Sequence, residues 1–362
     1  MNFEGRQEKL RENIARNRLD GLLVTHLPNV RYLCGFTGSA AALLITRSKS
    51  QFFTDGRYTE QASEEVQGAR LVIARKAPLP AAAEWLTKNA KKLRLKILGV
   101  EGEHLTVAER QRFAKNLPSG LRLRDASPMI ERARMVKDED EIEKIRAAVL
   151  LGASLFDVAL KTIRPGVKEF EVAAEMEYAA RCAGAEAMSF ETIIAAGPRS
   201  ALPHGRASDA PIPASGFVVC DFGVILAGYC SDMTRTVHVG QPSAEVRRIY
   251  QAVKDAQEAA VAAVKPESPV GKVDDVARKL LHNNGLGKCF THSTGHGVGL
   301  EIHEPPRIAV KQKERLQPGM VITIEPGVYI SGEGGVRIED MVLVTEDGCE
   351  VLTPTSKELI II

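Results

Sequence analysis

Four carboxylates occur within or at the ends of apolar segments that resemble β-strands, all between residues 221 and 339. Asp221 lies in GFVVCDFGV, Asp232 begins DMTRTVHV, Glu325 ends VITIE, and Glu339 lies in GGVRIEDMVLV. Burying an unpaired ion costs several kcal/mol, so each carboxylate in such a strand needs a partner. One of them could be an exposed edge residue or half of an ion pair, and Arg337 makes that interpretation serious for Glu339, because the two share a strand face. Four such carboxylates in one part of the chain are harder to explain as separate cases.

A glycine-rich segment, Thr291–Glu304, adds His296 and His303 to this set. Its sequence is THSTGHGVGLEIHE, in which His303 follows His296 by seven residues. That spacing differs from the i, i+4 spacing of helical zinc motifs. We expect the glycines at 295, 297 and 299 to give the backbone conformations that other residues resist, and to leave space beside His296. His296 is therefore a fifth candidate ligand.

Charge counting on these residues indicates a metal centre. Four ionised carboxylates carry a charge of −4, which two divalent cations would neutralise. Oxygen ligands with a single imidazole favour Mn²⁺, with Co²⁺ or Zn²⁺ as alternatives, whereas structural zinc prefers nitrogen and sulfur ligands. Two such ions, typically ~3.5–4 Å apart, would hold a hydroxide and polarise a carbonyl group. The residues thus predict two divalent metal ions per chain and a hydrolytic reaction.

The length and the order of elements predict two domains. At about 150 residues per domain, a chain of 362 residues suggests two. Residues 1–127 alternate strand-like and helix-like segments, which predicts an α/β domain with a loop at Asn29–Ser39. The polar, basic segment 128–137 is predicted to be a linker. Residues 138–362 group their helices and strands in blocks, which predicts an α+β domain with helices against a largely antiparallel sheet.

The charge balance and the cysteine pattern argue against several classes of protein. The net charge is +2, from 48 basic and 46 acidic residues, and no block concentrates the basic ones, so nucleic-acid binding is not expected. No apolar run approaches the ~20 residues that a membrane helix needs. Six scattered cysteines without a CxxC pair favour a reducing, cytoplasmic setting over a disulfide framework.

The five candidate ligands occur in the order and spacing of a known family. The stretches FVVCDFG, SDMTRT, GHGVGLEIHE, TIEPG and GVRIED resemble those of the dinuclear metallopeptidases of the pita-bread fold, which include aminopeptidase P, prolidase and methionine aminopeptidase. The resemblance runs from about residue 135 to the C-terminus. NVRYLCGFTGS and FTDGRYTEQA resemble the N-terminal domain of the creatinase/prolidase group. Methionine aminopeptidases lack that domain, which favours the proline-directed branch, and creatinase lacks the metal ligands that this chain has.

The resemblance implies a role for each matching residue. Asp221 would chelate one metal ion, Asp232 and Glu339 would bridge both, and His296 and Glu325 would bind the second. Catalytic roles are also implied. His204 and His303 would bind substrate and stabilise the tetrahedral intermediate. Glu325 would act as a proton relay, and Arg337 would orient Glu339. The family commonly forms homodimers, which the resemblance also implies here. His238 and His292 match no catalytic position and are predicted to be structural. No acidic cluster surrounds His26 and His104, which are predicted to be surface or structural residues.

The predicted substrates are peptides with proline at the second position. The main interpretation is an Xaa-Pro aminopeptidase similar to aminopeptidase P, favoured by the GFTGS and FTDGRY stretches. The alternative is a prolidase, which cuts Xaa-Pro dipeptides and must hold the free carboxylate of the proline. Arg307, in HEPPRIAV, could provide that anchor or could be a surface arginine. A remote alternative is a non-catalytic binding protein on the same scaffold, in which metal ligands would be expected to be lost.

Overall fold

The computed structural model describes residues 1–362, which form two compact units, Met1–Arg134 and Met135–Ile362. The segment 128–137, predicted to be a linker, instead contains a helix of the first unit, Met129–Arg134. Ile130 anchors this helix, because its side chain is only 1% exposed. Arg134 adds a buried hydrogen bond from Nη1 to Asn29 Oδ1 of 2.7 Å. The polar composition of this segment therefore did not indicate that it contains an ordered and partly buried helix.

The first unit contains one six-stranded sheet and six helices, in agreement with the α/β prediction. The sheet order is β4-β3-β2-β1-β5-β6, with β1 paired antiparallel to β2 and parallel to β5. The strands are β1 Gly21–Val24, β2 Ala42–Thr46, β3 Ser50–Asp55, β4 Arg70–Ala74, β5 Ile97–Val100 and β6 Arg122–Asp125. The helices are α1 Phe3–Arg16, α2 Leu27–Cys34, α3 Thr59–Glu65, α4 Pro78–Asn89, α5 Val107–Lys115 and α6 Met129–Arg134.

The predicted loop at Asn29–Ser39 is wrong in its first half, because α2 spans Leu27–Cys34. A proline in the first turn of α2 fits a helix start, where the missing N–H is not needed. Val30 and Leu33 then bury its apolar face. Gly35 ends the helix with φ of 87°, a left-handed conformation that glycine adopts without strain.

The histidines of the first unit are not isolated, contrary to the sequence interpretation. The rings of His26 and His104 stack with centroids 3.6 Å apart. His104 Nε2 lies 3.0 Å from Glu131 Oε1, and the backbone N–H of His26 donates to Glu101 Oε2. Residues distant in sequence supply these acidic neighbours, so no local pattern could have indicated them. Both histidines have the structural contacts expected of packing residues.

The second unit contains four helices and thirteen strands. The helices are α7 Glu139–Thr162, α8 Glu169–Cys182, α9 Ala244–Ala262 and α10 Val270–Asn283. Asp138 and Glu141 form a capping box at the start of α7. The strands are β7 Ala187–Met188, β8 Ile193–Ala196, β9 Gly216–Phe222, β10 Val224–Leu226, β11 Tyr229–Cys230, β12 Met233–Val239, β13 Gly295–Gly297, β14 Glu304–Ile308, β15 Val321–Ile324, β16 Gly327–Ile330, β17 Gly334–Arg337, β18 Asp340–Val344 and β19 Cys349–Val351.

Two antiparallel sheets organise this unit, each with its own pair of helices. One sheet has the order β12-β9-β8, and the other has the order β14-β13-β15-β18-β19. The helices α7 and α8 share an apolar core with the first sheet, through residues such as Phe156, Met176 and Val218. The helices α9 and α10 share a core with the second, through residues such as Val253 and Ile322. This arrangement confirms the α+β prediction.

The strands β9 and β12 form an antiparallel hairpin, and their register determines which side chains meet. They pair over seven residues, from Gly216 opposite Val239 to Phe222 opposite Met233. Their connection folds into a small hairpin of β10 and β11 whose turn residues, Ala227 and Gly228, have φ of 50° and 80°. Positive φ at both positions is typical of two-residue hairpin turns.

No helix of the structure combines the length and apolar character that a membrane span requires. All six cysteines are free thiols, so the chain has no disulfide framework.

Candidate metal centre

The strands of the two sheets bring all five candidate ligands to one cavity of about 790 Å³. Asp221 lies near the end of β9, and Asp232 immediately precedes β12, which is the antiparallel neighbour of β9. His296 is the central residue of β13, and Glu325 directly follows β15. Glu339 lies between β17 and β18, and its backbone N–H donates to Thr234 O. The ends of strands from different sheets therefore converge on the cavity.

The side chains of these residues approach closely enough to share a cation. Ligand atoms of Asp232, His296 and Glu339 all lie within 4.8 Å of one another. His296 Nε2 lies 3.6 Å from Asp232 Oδ2 and 3.5 Å from Glu325 Oε1. Asp221 Oδ1 is buried and has no hydrogen-bond partner within the chain. A buried carboxylate oxygen without a donor is unfavourable, and a bound cation would satisfy it.

The protonation of His296 also fits a cation. Its Nδ1 lies 3.0 Å from Gly297 O, and a carbonyl can only accept, so Nδ1 carries the proton. Burial lowers the pKa of His296 to about 4, which keeps the ring neutral. The lone pair on Nε2 therefore faces two carboxylates. That arrangement is repulsive by itself, and it is the tautomer in which a histidine binds metal through Nε2.

Electrostatics in the cavity indicate a deficit of positive charge. Burial, followed by the charges of Glu339 and Asp221, raises the pKa of Asp232 well above its usual range. Burial, followed by Glu325 and Asp221, does the same to Glu339, and burial raises the pKa of Glu325 to about 7. Arg337 is the cation that opposes these shifts. The donor set is rich in oxygen and has one neutral imidazole, so it fits divalent cations such as Mn²⁺ or Co²⁺.

Arg337 links the carboxylates through a short network. Its Nη2 donates to Asp221 Oδ2 at 2.6 Å, and its Nε donates to Thr234 Oγ1 at 3.2 Å. Thr234 Oγ1 in turn donates to Glu339 Oε2 at 2.7 Å. The sequence predicts that Arg337 orients Glu339, and the network does so through Thr234 while binding Asp221 directly. Such outer contacts fix the orientation of metal-binding side chains.

The two histidines predicted to face substrate also line the cavity. His204 follows the short turn after β8, and His303 immediately precedes β14. The His303 ring meets the His296 ring edge to face, with centroids 4.5 Å apart. Burial, followed by the charge of nearby His204, lowers the pKa of His303. Both side chains are therefore close to the carboxylate cluster without belonging to it.

The structure adds His292 and Tyr329 to the lining of the cavity, which sequence reasoning missed. His292 Nδ1 lies 2.8 Å from Ser293 O, so that nitrogen donates and Nε2 accepts from Tyr329 OH at 2.9 Å. Tyr329 OH in turn accepts from Arg337 Nη1 at 2.6 Å. His292 thus helps to hold Arg337 in place through the hydroxyl group of Tyr329. The only sequence signal was a second histidine four residues before His296. His238 is buried and lies 2.9 Å from Gly240 O, as a structural histidine would.

The glycines around His296 serve close packing and not unusual backbone conformation. The positive-φ glycines do not include those at 295, 297 and 299, so that part of the expectation is wrong. A Cβ atom on Gly295 would lie 1.9 Å from Thr323 O, and one on Gly297 would lie 2.3 Å from Pro305 O. Neighbouring backbone therefore occupies the space that any side chain would need. These glycines allow β13 to fit between β14 and β15.

Comparisons with known proteins identify the family to which the chain is related. Residues 143–346 match metallopeptidase family M24, and residues 6–136 match the creatinase/prolidase N-terminal domain. The chain is 39% identical to a Xaa-Pro dipeptidase of Pyrococcus furiosus, over 98% of this chain and 99% of that protein. The structure is similar to that of a Xaa-Pro dipeptidase from Bacillus anthracis, with a TM-score of 0.95, 40% identity and complete coverage of both chains.

A third relative is a solved X-Pro aminopeptidase from Thermotoga maritima. Its TM-score is 0.89 at 35% identity, with 97% of this chain and 100% of that chain covered. Family M24 consists of metallopeptidases that bind divalent metal ions, and the predicted pita-bread fold is confirmed by these neighbours. The chain is a hydrolase that belongs to metallopeptidase family M24, and it carries the N-terminal domain of creatinases and prolidases.

Proposed function

We propose that this protein is an Xaa-Pro dipeptidase, the alternative of the sequence analysis and not its main interpretation. The observation that carries the proposal is the full-length similarity to relatives named Xaa-Pro dipeptidase. One feature of the cavity supports it. Arg307 lies in the lining and is exposed. Its guanidinium group makes no hydrogen bond or ion pair within the chain. A dipeptide substrate has a free carboxylate on its proline, which an unpaired guanidinium can bind through two hydrogen bonds.

The proposed metal ligands are Asp221, Asp232, His296, Glu325 and Glu339, which would hold two divalent ions, Mn²⁺ being the first choice. When bound, such ions lower the pKa of a water molecule and polarise the scissile carbonyl. Glu325 would accept a proton at its carboxylate and pass it to the leaving proline nitrogen. His204 and His303, whose rings face the same cavity, would donate hydrogen bonds to the charge that develops on the substrate.

The peptide would lie with its proline end toward β14. Arg307 is the cross-strand partner of His296, so a carboxylate bound by Arg307 lies one strand away from the candidate ligand. Arg337 and Thr234 would keep Asp221 and Glu339 in place through the contacts described above. That the protein is a cytoplasmic homodimer stays a prediction. The size of the purified protein in solution would test whether it is a dimer.

An aminopeptidase acting on longer peptides is the second candidate, favoured by the similarity to the Thermotoga maritima X-Pro aminopeptidase. Rates on Leu-Pro and on Leu-Pro-Gly with added Mn²⁺ separate the two. A dipeptidase should prefer Leu-Pro, and Arg307→Gln should raise KM for Leu-Pro more than for Leu-Pro-Gly. Faster cleavage of the tripeptide, or an equal effect of Arg307→Gln on both substrates, would contradict the dipeptidase proposal.

The proposed ligands are tested separately from substrate preference. His296→Ala and Asp221→Asn should each abolish hydrolysis and reduce the amount of Mn²⁺ that the purified protein retains. His238→Gln provides a matched control, because His238 is a buried histidine of the same unit outside the cavity lining. Full activity in either ligand variant would refute the metal assignment. Absence of bound divalent ions, with no gain on adding Mn²⁺, would instead favour a non-catalytic binding protein.

A further inference from the structure

A charged pair lies in the cavity lining apart from the candidate ligands. Glu191 and Arg206 both line the cavity, and Arg206 Nε lies 2.9 Å from Glu191 Oε2. Their side chains are 58% and 74% exposed. Neither residue contributes to the charge balance of the metal centre, where the carboxylates are buried. The pair is therefore at the solvent side of the cavity, where an entering substrate would meet it.

Both members of this pair are close in sequence to residues that line the metal centre. Ile193, the first residue of β8, is the cross-strand partner of Asp221, and it also lines the cavity. Glu191 is two residues earlier, which is about 7 Å along an extended chain. Arg206 follows His204 by two residues, and its backbone N–H donates to His204 O at 2.9 Å. Glu191 and Arg206 thus extend outward from the Asp221 side of the cavity.

The other sheet carries the proposed carboxylate anchor. Arg307 lies on β14 beside His296, in the other sheet. If the proline carboxylate of a dipeptide is bound there, its first residue extends toward β8 and β9. Phe190 and Ile193 provide an apolar wall on that side, and Glu191 lies between them in sequence. The side chain of the first residue would pass this wall and end near the charged pair.

We infer that Glu191 and Arg206 border the subsite for the side chain of the substrate's first residue and determine which charge is accepted there. This inference rests on the proposed dipeptidase function and on the orientation given by Arg307. With the ion pair intact, the two charges compensate each other and the subsite favours neither sign. Removing one member leaves the other free to attract a substrate side chain of opposite charge.

The exposed position of the pair makes it suitable for mutation. Exposed ion pairs contribute little to stability, so single substitutions should leave the fold intact. Glu191→Gln frees Arg206 and should favour Glu-Pro over Lys-Pro, whereas Arg206→Gln frees Glu191 and should do the reverse. Because the charges face solvent, we expect a change of about fivefold in the ratio of the two kcat/KM values. High salt should reduce both changes through screening.

The experiment measures kcat/KM for Leu-Pro, Lys-Pro and Glu-Pro with Mn²⁺ in the full-length enzyme and both variants. The Lys-Pro to Glu-Pro ratio is taken within each variant, so differences in metal loading cancel. Glu12→Gln is a matched control, because Glu12 forms a similarly exposed pair with Arg16, at 65% and 71% exposure. This control should leave the ratio unchanged.

The outcomes separate this inference from the proposal on which it rests. Opposite shifts of the ratio in the two variants, weakened by salt, would support the inference. Normal hydrolysis of Leu-Pro with a ratio that matches the control would overturn the role of the pair and leave the dipeptidase proposal intact. An unmodified enzyme that hydrolyses none of the three dipeptides would overturn both. Shifts of the same sign in both variants would also refute the inference, since two opposite charges cannot have the same electrostatic effect.

Discussion

Replacing Lys137 by methionine should strongly destabilise the second unit, because it would leave a buried carboxylate without its cation. Lys137 Nζ lies 3.2 Å from Glu304 Oε2, and the two side chains are only 1% and 3% exposed. Removing one partner of a buried ion pair typically costs about 3–5 kcal/mol, since the remaining charge stays out of water. In a unit of this size each kcal/mol lowers Tm by about 2–4 °C, so we expect a decrease of about 6–20 °C.

The same substitution should also change the shape of the cavity, because it affects the loop before β14. Glu304 Oε1 accepts from the backbone N–H of Glu301, so its carboxylate closes the turn that carries His303. A Cβ atom on Gly299 would lie 2.7 Å from Glu304 Oε2, so the carboxylate packs directly on that glycine. A displaced Glu304 would therefore move the turn, and we expect kcat for Leu-Pro to fall in Lys137→Met even below its Tm.

Calorimetry of the metal-loaded enzyme tests this reasoning. The single tryptophan, Trp85, lies in the first unit, so its fluorescence identifies the transition of that unit. Lys161→Met, which removes an exposed lysine of the second unit, should change the unfolding free energy by less than about 0.5 kcal/mol. The double variant Lys137→Met/Glu304→Gln should be more stable than the sum of the single effects predicts. A loss below about 1 kcal/mol in Lys137→Met, or strict additivity, would refute the argument.

Three further predictions concern packing, protonation and thiol reactivity. Gly295→Ala should prevent correct folding of the centre, because its Cβ would lie 1.9 Å from Thr323 O, and normal Mn²⁺ retention would contradict this. Burial lowers the pKa of His292 to about 4, so between about pH 6.5 and 4 only the unfolded chain takes up this proton, and this residue alone should cost the metal-free protein up to about 3 kcal/mol of stability as pH falls, against the opposite effect of the carboxylates whose pKa is raised. His292→Phe should remove this contribution from the slope of stability against pH, and an unchanged slope would be inconsistent with a neutral buried imidazole. A thiol reagent at pH 8 should modify exposed Cys182 but not Cys34, whose pKa burial raises to about 12, and peptide mass spectrometry would detect any reaction at Cys34.

The candidate ligands could be found from sequence because each lies in a short contiguous stretch with its own strand pattern. Asp221 lies in β9 and Asp232 immediately precedes β12, the antiparallel partner of β9, so this hairpin brings them together. Glu325 directly follows β15, and Glu339 immediately precedes β18, the antiparallel partner of β15. Local alternation and turn signals are sufficient to place each carboxylate in or beside an apolar strand, whereas the pairing of β15 with β18 is seen only in the structure.

The network behind the centre could not be predicted in the same way. His292 meets Tyr329 across 37 positions, and Tyr329 contacts Arg337 only because β16 and β17 form a hairpin. The sequence around His292 gives no sign of Tyr329 or Arg337, and its only signal is the position of this histidine four residues before His296. The stacked histidines of the first unit present the same difficulty, since tertiary packing brings the two rings together and brings Glu131 to His104. Residues whose role depends on distant partners become recognisable only when the register of the sheets is known.

Glu339 and Asp340 illustrate how one position along the chain separates a candidate ligand from a structural carboxylate. Both are almost fully buried, but they face opposite sides. Asp340 accepts from Arg235 at 2.7 Å, from Gln257 at 2.9 Å and from Lys357 at 3.0 Å, so its charge is compensated within the protein. Glu339 accepts from the neutral hydroxyl of Thr234, and burial together with the charges of Glu325 and Asp221 keeps its pKa raised. The protein thus neutralises one of two adjacent acids with its own cations, and the other is free to serve in the proposed metal site.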